Sequence, residues 1–148
     1  MAAFSDTITI HKPIDEVFSF STNMENSNKI MPNVKQTVKI TDGPITVGTQ
    51  FKETRVIRGR DAEAVIEIIK YIPNQAYSVK NVTQGMEVIY HYQFNKVVEG
   101  TKIDFQCEVN ASGIMMKLIK PLFIKILKKE DGDHLHHLKK AVESVKDQ

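Results

Sequence analysis

Hydrophobic and polar positions alternate with a period of two along most of this chain, then switch to a helical period near its end. Phe4, Ile8 and Ile10 alternate with Ser5, Thr7, Thr9 and His11, which predicts a strand with one apolar face. Lys12-Pro13 ends it, and Pro13 suits the first turn of a helix, where its missing N–H costs nothing. Asp15 and Glu16 favour a helix N-terminus, and Val17, Phe18 and Phe20 give that short helix an apolar edge. A second short helix or turn follows through Met24 and Ile30, stopped by Pro32.

Six further strands are predicted. Val34–Ile40 is followed by the turn Thr41-Asp42-Gly43-Pro44, and Gly48–Ile57 is broken by Arg58-Gly59-Arg60. Ala62–Tyr71 also suits a helix, but its neighbours are strands and Pro73-Asn74 follows as a turn, so strand is preferred. Ala76–Val82 and Met86–Val97 come next, the latter with Val88, Tyr90, Tyr92 and Phe94 on one face. In Thr101–Ala111, Ile103, Phe105, Cys107 and Val109 face one way, and Lys102, Asp104, Gln106 and Glu108 the other. Short turns between successive strands imply an antiparallel meander.

Gly113 to Val145 reads as one long helix. Met115, Leu118, Ile119, Leu122, Phe123 and Ile126 form one apolar stripe; Leu135, Leu138, Val142 and Val145 form another. At about 100° per residue the second is rotated by roughly a third of a turn from the first, with Gly132 near the change. The sheet's apolar face is the expected partner of this helix.

Composition narrows the function. The 148 residues suit one domain and one core, and a net charge of +2 without a basic block argues against nucleic acid. Cys107 is the single cysteine, which fits a reducing compartment. The opening Met1–Asp6 has no signal-peptide pattern, and no run approaches the ~18 uncharged residues of a membrane span, so a cytoplasmic location is expected.

Several segments together resemble the START-like, helix-grip (SRPBCC) superfamily, within it the polyketide cyclase/dehydrase and lipid transport group. The segments are Ile10-His11-Lys12-Pro13-Ile14-Asp15-Glu16-Val17-Phe18, Met31-Pro32-Asn33-Val34, Gly48-Thr49-Gln50-Phe51, Tyr71-Ile72-Pro73-Asn74 and Gly100-Thr101-Lys102-Ile103. Each is turn chemistry followed or preceded by a strand; their order carries the resemblance, which spans nearly the whole chain. It implies one α+β helix-grip domain over residues 1–148, a curved seven-stranded antiparallel sheet around the long C-terminal helix. It also implies a cavity between the two for a hydrophobic small molecule such as a lipid, quinone, sterol or polyketide.

Candidate cavity residues are Phe51, Tyr90, Tyr92, Phe105 and Cys107 from the sheet, and Met115, Ile119, Leu122 and Phe123 from the helix. The alternative is that these side chains simply pack a solid core. The short helices with the Pro44 and Gly59 loops are expected to form the mouth. Glu53 and Arg55 share strand parity with Phe51. If Phe51 points inward, Arg55 held by Glu53 can receive a carboxylate or hydroxyl; if not, both charges reach solvent. Glu67 poses the same question. The phenols of Tyr90 and Tyr92 need partners, either ligand or backbone carbonyl.

His134 and His137 share a helix face with Asp133, but no third and fourth ligand is in evidence, so a solvated surface is preferred and neither metal nor cofactor is expected. Five lysines between 114 and 129 can attract anionic lipid in a transient membrane-surface contact, or form an ordinary solvated face. No phosphate loop, nucleophile elbow or paired-cysteine motif is present. The preferred reading is therefore binding or transport. A cyclase- or dehydratase-like enzyme using cavity acid/base groups, and a co-chaperone-like interaction module, are the alternatives. The oligomeric state is left open.

Overall fold

Seven antiparallel strands form one sheet in the order β1-β7-β6-β5-β4-β3-β2, so only β1 leaves the sequential meander. The computed structural model describes residues 2–145. The strands are β1 (Phe4–Ile10), β2 (Val34–Lys39), β3 (Gln50–Ile57), β4 (Arg60–Ile72), β5 (Ala76–Thr83), β6 (Met86–Val97) and β7 (Gly100–Ala111). Between β1 and β2 lie α1 (Ile14–Thr22), a single turn Met24–Asn26, and α2 (Ser27–Ile30). The C-terminal helical segment follows β7 and is divided at Gly132-Asp133 into α3 (Ile114–Asp131) and α4 (His134–Glu143). This is the expected helix-grip arrangement, with a break where the apolar stripe changes direction.

Register follows the period-two pattern. Phe51, Glu53 and Arg55 lie opposite Ile66, Ala64 and Ala62 across β3–β4, while Tyr77 and Val79 lie opposite Tyr92 and Tyr90 across β5–β6. An irregularity between Ile68 and Lys70 inserts one residue into β4, which returns Tyr71 to the face shared by Tyr77.

The concave face has two unlike halves. At the α1–α2 end it is solid. Tyr77 stacks on Tyr92 with centroids 4.6 Å apart, and Phe18 meets Phe94 edge-on at 5.1 Å. Such ring pairs contribute about 0.5–1.5 kcal/mol beyond area burial. Leu135, Leu138 and Val142 of α4 close this half and are fully or almost fully buried.

The other half, under α3, is not filled. α3 is capped by Gly113, and just before it Ser112 N–H bonds the Gly85 carbonyl. Gly85 has φ +82°, and a Cβ there would come within 3.1 Å of Met116 Cγ, so glycine serves both the turn and the close helix approach. From this anchor the helix spans the cavity over β3–β5, with Phe123, Ile124 and Leu127 only partly buried, and becomes fully buried at Asp131. Among the described residues no helix is long and apolar enough to cross a membrane.

Candidate functional site

The space beneath α3 is a cavity of about 250 Å³. Its walls are Ile57, Ala62, Ala64, Ile66, Val79 and Val88 from the sheet, and Phe123 and Leu127 from α3. Its polar end is formed by Glu53, Arg55, Tyr90, Glu130 and Asp131. The volume lies just below the roughly 300–1,000 Å³ of common small-molecule pockets, and the make-up, apolar walls with few polar groups, is the usual one.

Alternation places Glu53 and Arg55 inward, and α3 supplies what β3 alone cannot. Arg55 Nε donates to Glu53 Oε1 at 2.5 Å, and its two amino groups donate to Asp131 Oδ1 and Oδ2 at 3.2 and 3.3 Å. Glu130 Oε2 stands 3.6 Å from the same guanidinium, and Met31 Sδ 3.4 Å. Burial by itself would lower the arginine's pKa; Glu53 and Asp131 outweigh it and hold the guanidinium above its ordinary value. A buried charge cluster of this kind stays intact only while every member keeps its partners.

Tyr90 donates to Asp131 Oδ2 at 2.5 Å. Burial first, and then the Asp131 charge, push its phenol well above the ordinary tyrosine range. Behind it, His134 Nδ1 lies 2.7 Å from the Asp131 carbonyl, and His134 Nε2 lies 2.9 Å from the Tyr92 hydroxyl. A carbonyl only accepts, so Nδ1 carries the proton and Nε2 accepts from Tyr92. Burial lowers the imidazole's pKa despite nearby Asp131, keeping this neutral tautomer. Burial likewise raises the Tyr92 phenol.

The expected site residues divide. Glu53, Arg55, Tyr90 and Phe123 line the cavity. Phe51, Phe105 and Cys107 are fully buried core instead, and burial pushes the Cys107 thiol up to about 12. Tyr92 borders a separate space of about 20 Å³, bounded also by Tyr77, His134 and Leu138. Met115, Ile119 and Leu122 do not line the cavity; they sit on the outer face of α3, Leu122 being 60 % exposed. The reason is rotational. Burying Asp131 brings Phe123 and Leu127, eight and four residues earlier, onto the inner arc, which turns Met115, Leu118 and Leu122 away.

Two further expectations change, and the open question of Glu67 is answered. His134 is buried, not solvated, because it shares a helical face with Leu138, four residues on. Glu67 points away from the cavity and accepts from Gln50. The cavity lining includes Ile57 and Ala62, beside the Gly59 turn; the short helices and the Pro44 loop take no part in it. Sequence reading missed Glu130 and Asp131. The available signal was an acidic pair, in phase with Phe123 and Leu127, at the end of a helix otherwise charged only by lysines. Among the described residues, no group of three or more His, Cys, Asp or Glu is placed to hold a metal ion.

The family model described as polyketide cyclase / dehydrase and lipid transport matches residues 1–143. Solved structures with the same fold include Ara h 8.0201, 15% identical with a TM-score of 0.73, covering 96% of this chain and 97% of that one. A protein from Thermus thermophilus is 14% identical with a TM-score of 0.74, covering 95% and 96%. The di-domain ARO/CYC StfQ from the steffimycin biosynthetic pathway is 13% identical with a TM-score of 0.75; the match covers 95% of this chain and 50% of that one. At such identities the likeness is one of fold. No curated protein matches the chain.

Proposed function

Because the chain belongs to the polyketide cyclase / dehydrase and lipid transport family, we propose that it binds and carries a small hydrophobic molecule in the cavity between the sheet and α3. Family and fold together indicate hydrophobic ligand binding or a polyketide cyclase-like activity. The observation that favours binding is the internal pairing of the polar groups. Tyr90, the phenol at the cavity, already donates to Asp131, and Arg55 is held by two carboxylates. His134 has one ring nitrogen on a backbone carbonyl and the other on Tyr92. A general acid or base needs a pKa near the working pH and a lone pair or proton facing substrate. Tyr90 is shifted far above neutrality, and His134 lies outside the cavity lining.

On this reading the apolar walls supply affinity, at about 25 cal/mol per Å² of apolar surface buried, and the polar end orients the ligand. A volume of about 250 Å³ suits a compound of two or three fused rings or a short chain. The test is native mass spectrometry of the purified protein, followed by denaturation and small-molecule analysis of what is released. A stoichiometric mass increment that disappears on denaturation supports carriage and identifies the ligand class. A bare protein that also fails to take up an apolar fluorescent probe sinks the binding reading.

A further inference from the structure

The polar end of the cavity carries more negative than positive charge. Glu53, Glu130 and Asp131 converge on the single guanidinium of Arg55, with N–O separations of 2.5, 3.6 and 3.2 Å. Three carboxylates against one guanidinium leave a formal surplus of two negative charges. The two other charged residues at the wall do not redress this. Glu63 and Lys80 alternate with the inward positions Ala62, Ala64, Val79 and Asn81, and Lys80 lies opposite Glu67 across β4–β5.

Arg55 has four of its donors taken and the fifth turned to a carboxylate. A guanidinium offers five N–H bonds. Four are hydrogen-bonded, to one Glu53 oxygen, both oxygens of Asp131 and Met31 sulfur, and Glu130 Oε2 stands 3.6 Å away as an ion-pair partner. The arginine therefore serves to hold the carboxylates, not to receive an anion. At the Arg55 end of the cavity, the side chains left to meet a ligand are the carboxylate acceptors of Glu53 and Glu130.

We propose that the cavity selects neutral or cationic ring compounds bearing an O–H or N–H donor, such as phenols and amines, and rejects carboxylates. This rests on the ligand-binding reading above. A donor-headed ligand can hydrogen-bond to Glu53 or Glu130, while an anion meets like charge in a partly desolvated site.

The test uses the full chain and four probes of one shape: naphthalene, naphthol, naphthylmethylamine and naphthoate, titrated calorimetrically at neutral pH. Naphthol and the amine are expected to bind at least as tightly as naphthalene, and naphthoate about tenfold or more weakly than naphthol. Glu130→Gln, at a half-buried position, narrows the naphthol–naphthoate gap several-fold. Naphthoate binding as well as naphthol, with naphthalene also bound, overturns the charge argument and leaves the cavity reading standing. Binding of none of the four overturns both.

A second inference rests on the opposite face of α3. Ile114, Met115, Leu118, Ile119, Leu122 and Ile126 are exposed there. The segment 110–129 contains five lysines and no acidic residue. Lys117, Lys125, Lys128 and Lys129 are exposed, and Lys125 and Lys129, three residues after Leu122 and Ile126, border that apolar stripe. We infer that this face docks on an anionic membrane surface, its apolar side chains entering the headgroup boundary and its lysines pairing with lipid charge. Co-sedimentation with phosphatidylcholine vesicles, with and without phosphatidylserine, tests it. Binding should rise with phosphatidylserine, fall with salt, and drop several-fold in Lys125→Glu/Lys129→Glu and in Leu118→Ser/Leu122→Ser, with thermal melting unchanged. Equal binding to both vesicles overturns the inference. So does a concentration-dependent dimer in sedimentation velocity that Leu118→Ser/Leu122→Ser dissociates, which gives the face to a second copy.

Discussion

Helices α3 and α4 follow one another in the chain with similar amphipathic spacing, yet they have opposite fates. Leu135 and Leu138 of α4 are 0 % and 2 % exposed, whereas Leu118 and Leu122 of α3 are 74 % and 60 % exposed. α4 completes the solid half of the core, against β1, α1 and α2. α3 roofs the hollow half: Met116 beside the Gly85 turn and Asp131 on Arg55 hold its ends, and Phe123, Ile124 and Leu127 between them are only partly buried. Packing supplies stability in one helix; standing off supplies space in the other. An apolar stripe therefore measures what a helix could bury, not what it does bury.

The contrast can be broken most severely at Asp131, the point where α3 is buried. Asp131→Ala leaves Arg55 without its two-oxygen partner and Tyr90 with a stranded hydroxyl. The expected loss is about 3–5 kcal/mol, read as a lower urea midpoint, and a loss under 1 kcal/mol would show that the cluster is solvated. Leu138→Ala opens a void in a filled core and should cost about 2–5 kcal/mol in the same assay.

A pH scan of stability sharpens the α4 side. Burial depresses the His134 pKa in the folded state. As pH falls through about 6.5 the unfolded chain takes up the proton first, so this contribution is complete above that pH and is lost below it. Its slope is at most about 1.4 kcal/mol per pH unit, and His134→Gln should flatten the profile between neutrality and mild acid. A variant with the parent's slope would assign the acid sensitivity to other groups. The smallest effect belongs to Leu122→Ala on α3, within about 0.5 kcal/mol; a cost matching that of Leu138→Ala would mean that the outer face is covered in solution.

The sheet was legible because a period of two leaves only one choice, and parity alone put Glu53 and Arg55 on the Phe51 face. Their partner was not legible, because Asp131 lies 76 residues from Arg55 and no local pattern couples them. Helix rotation was ambiguous for a different reason. Residues 114–127 of α3 are apolar on both arcs: Met116, Phe123, Ile124 and Leu127 on one, Met115, Leu118, Ile119 and Leu122 on the other. Only the acidic pair at its end breaks the tie. His134 was masked by its company, since two more histidines and a run of lysines surround it, although its spacing to Leu138 already placed it inside.

Cys107, sealed mid-strand under Phe105 and Tyr90 with its thiol pushed up to about 12, leaves the protein chemically silent toward mild alkylating reagents. No other cysteine competes. A cysteine introduced at Ile119 or Leu122 can therefore be labelled selectively in the otherwise native chain. A single environment-sensitive dye there would report in real time whether α3 meets lipid, a second copy or only water.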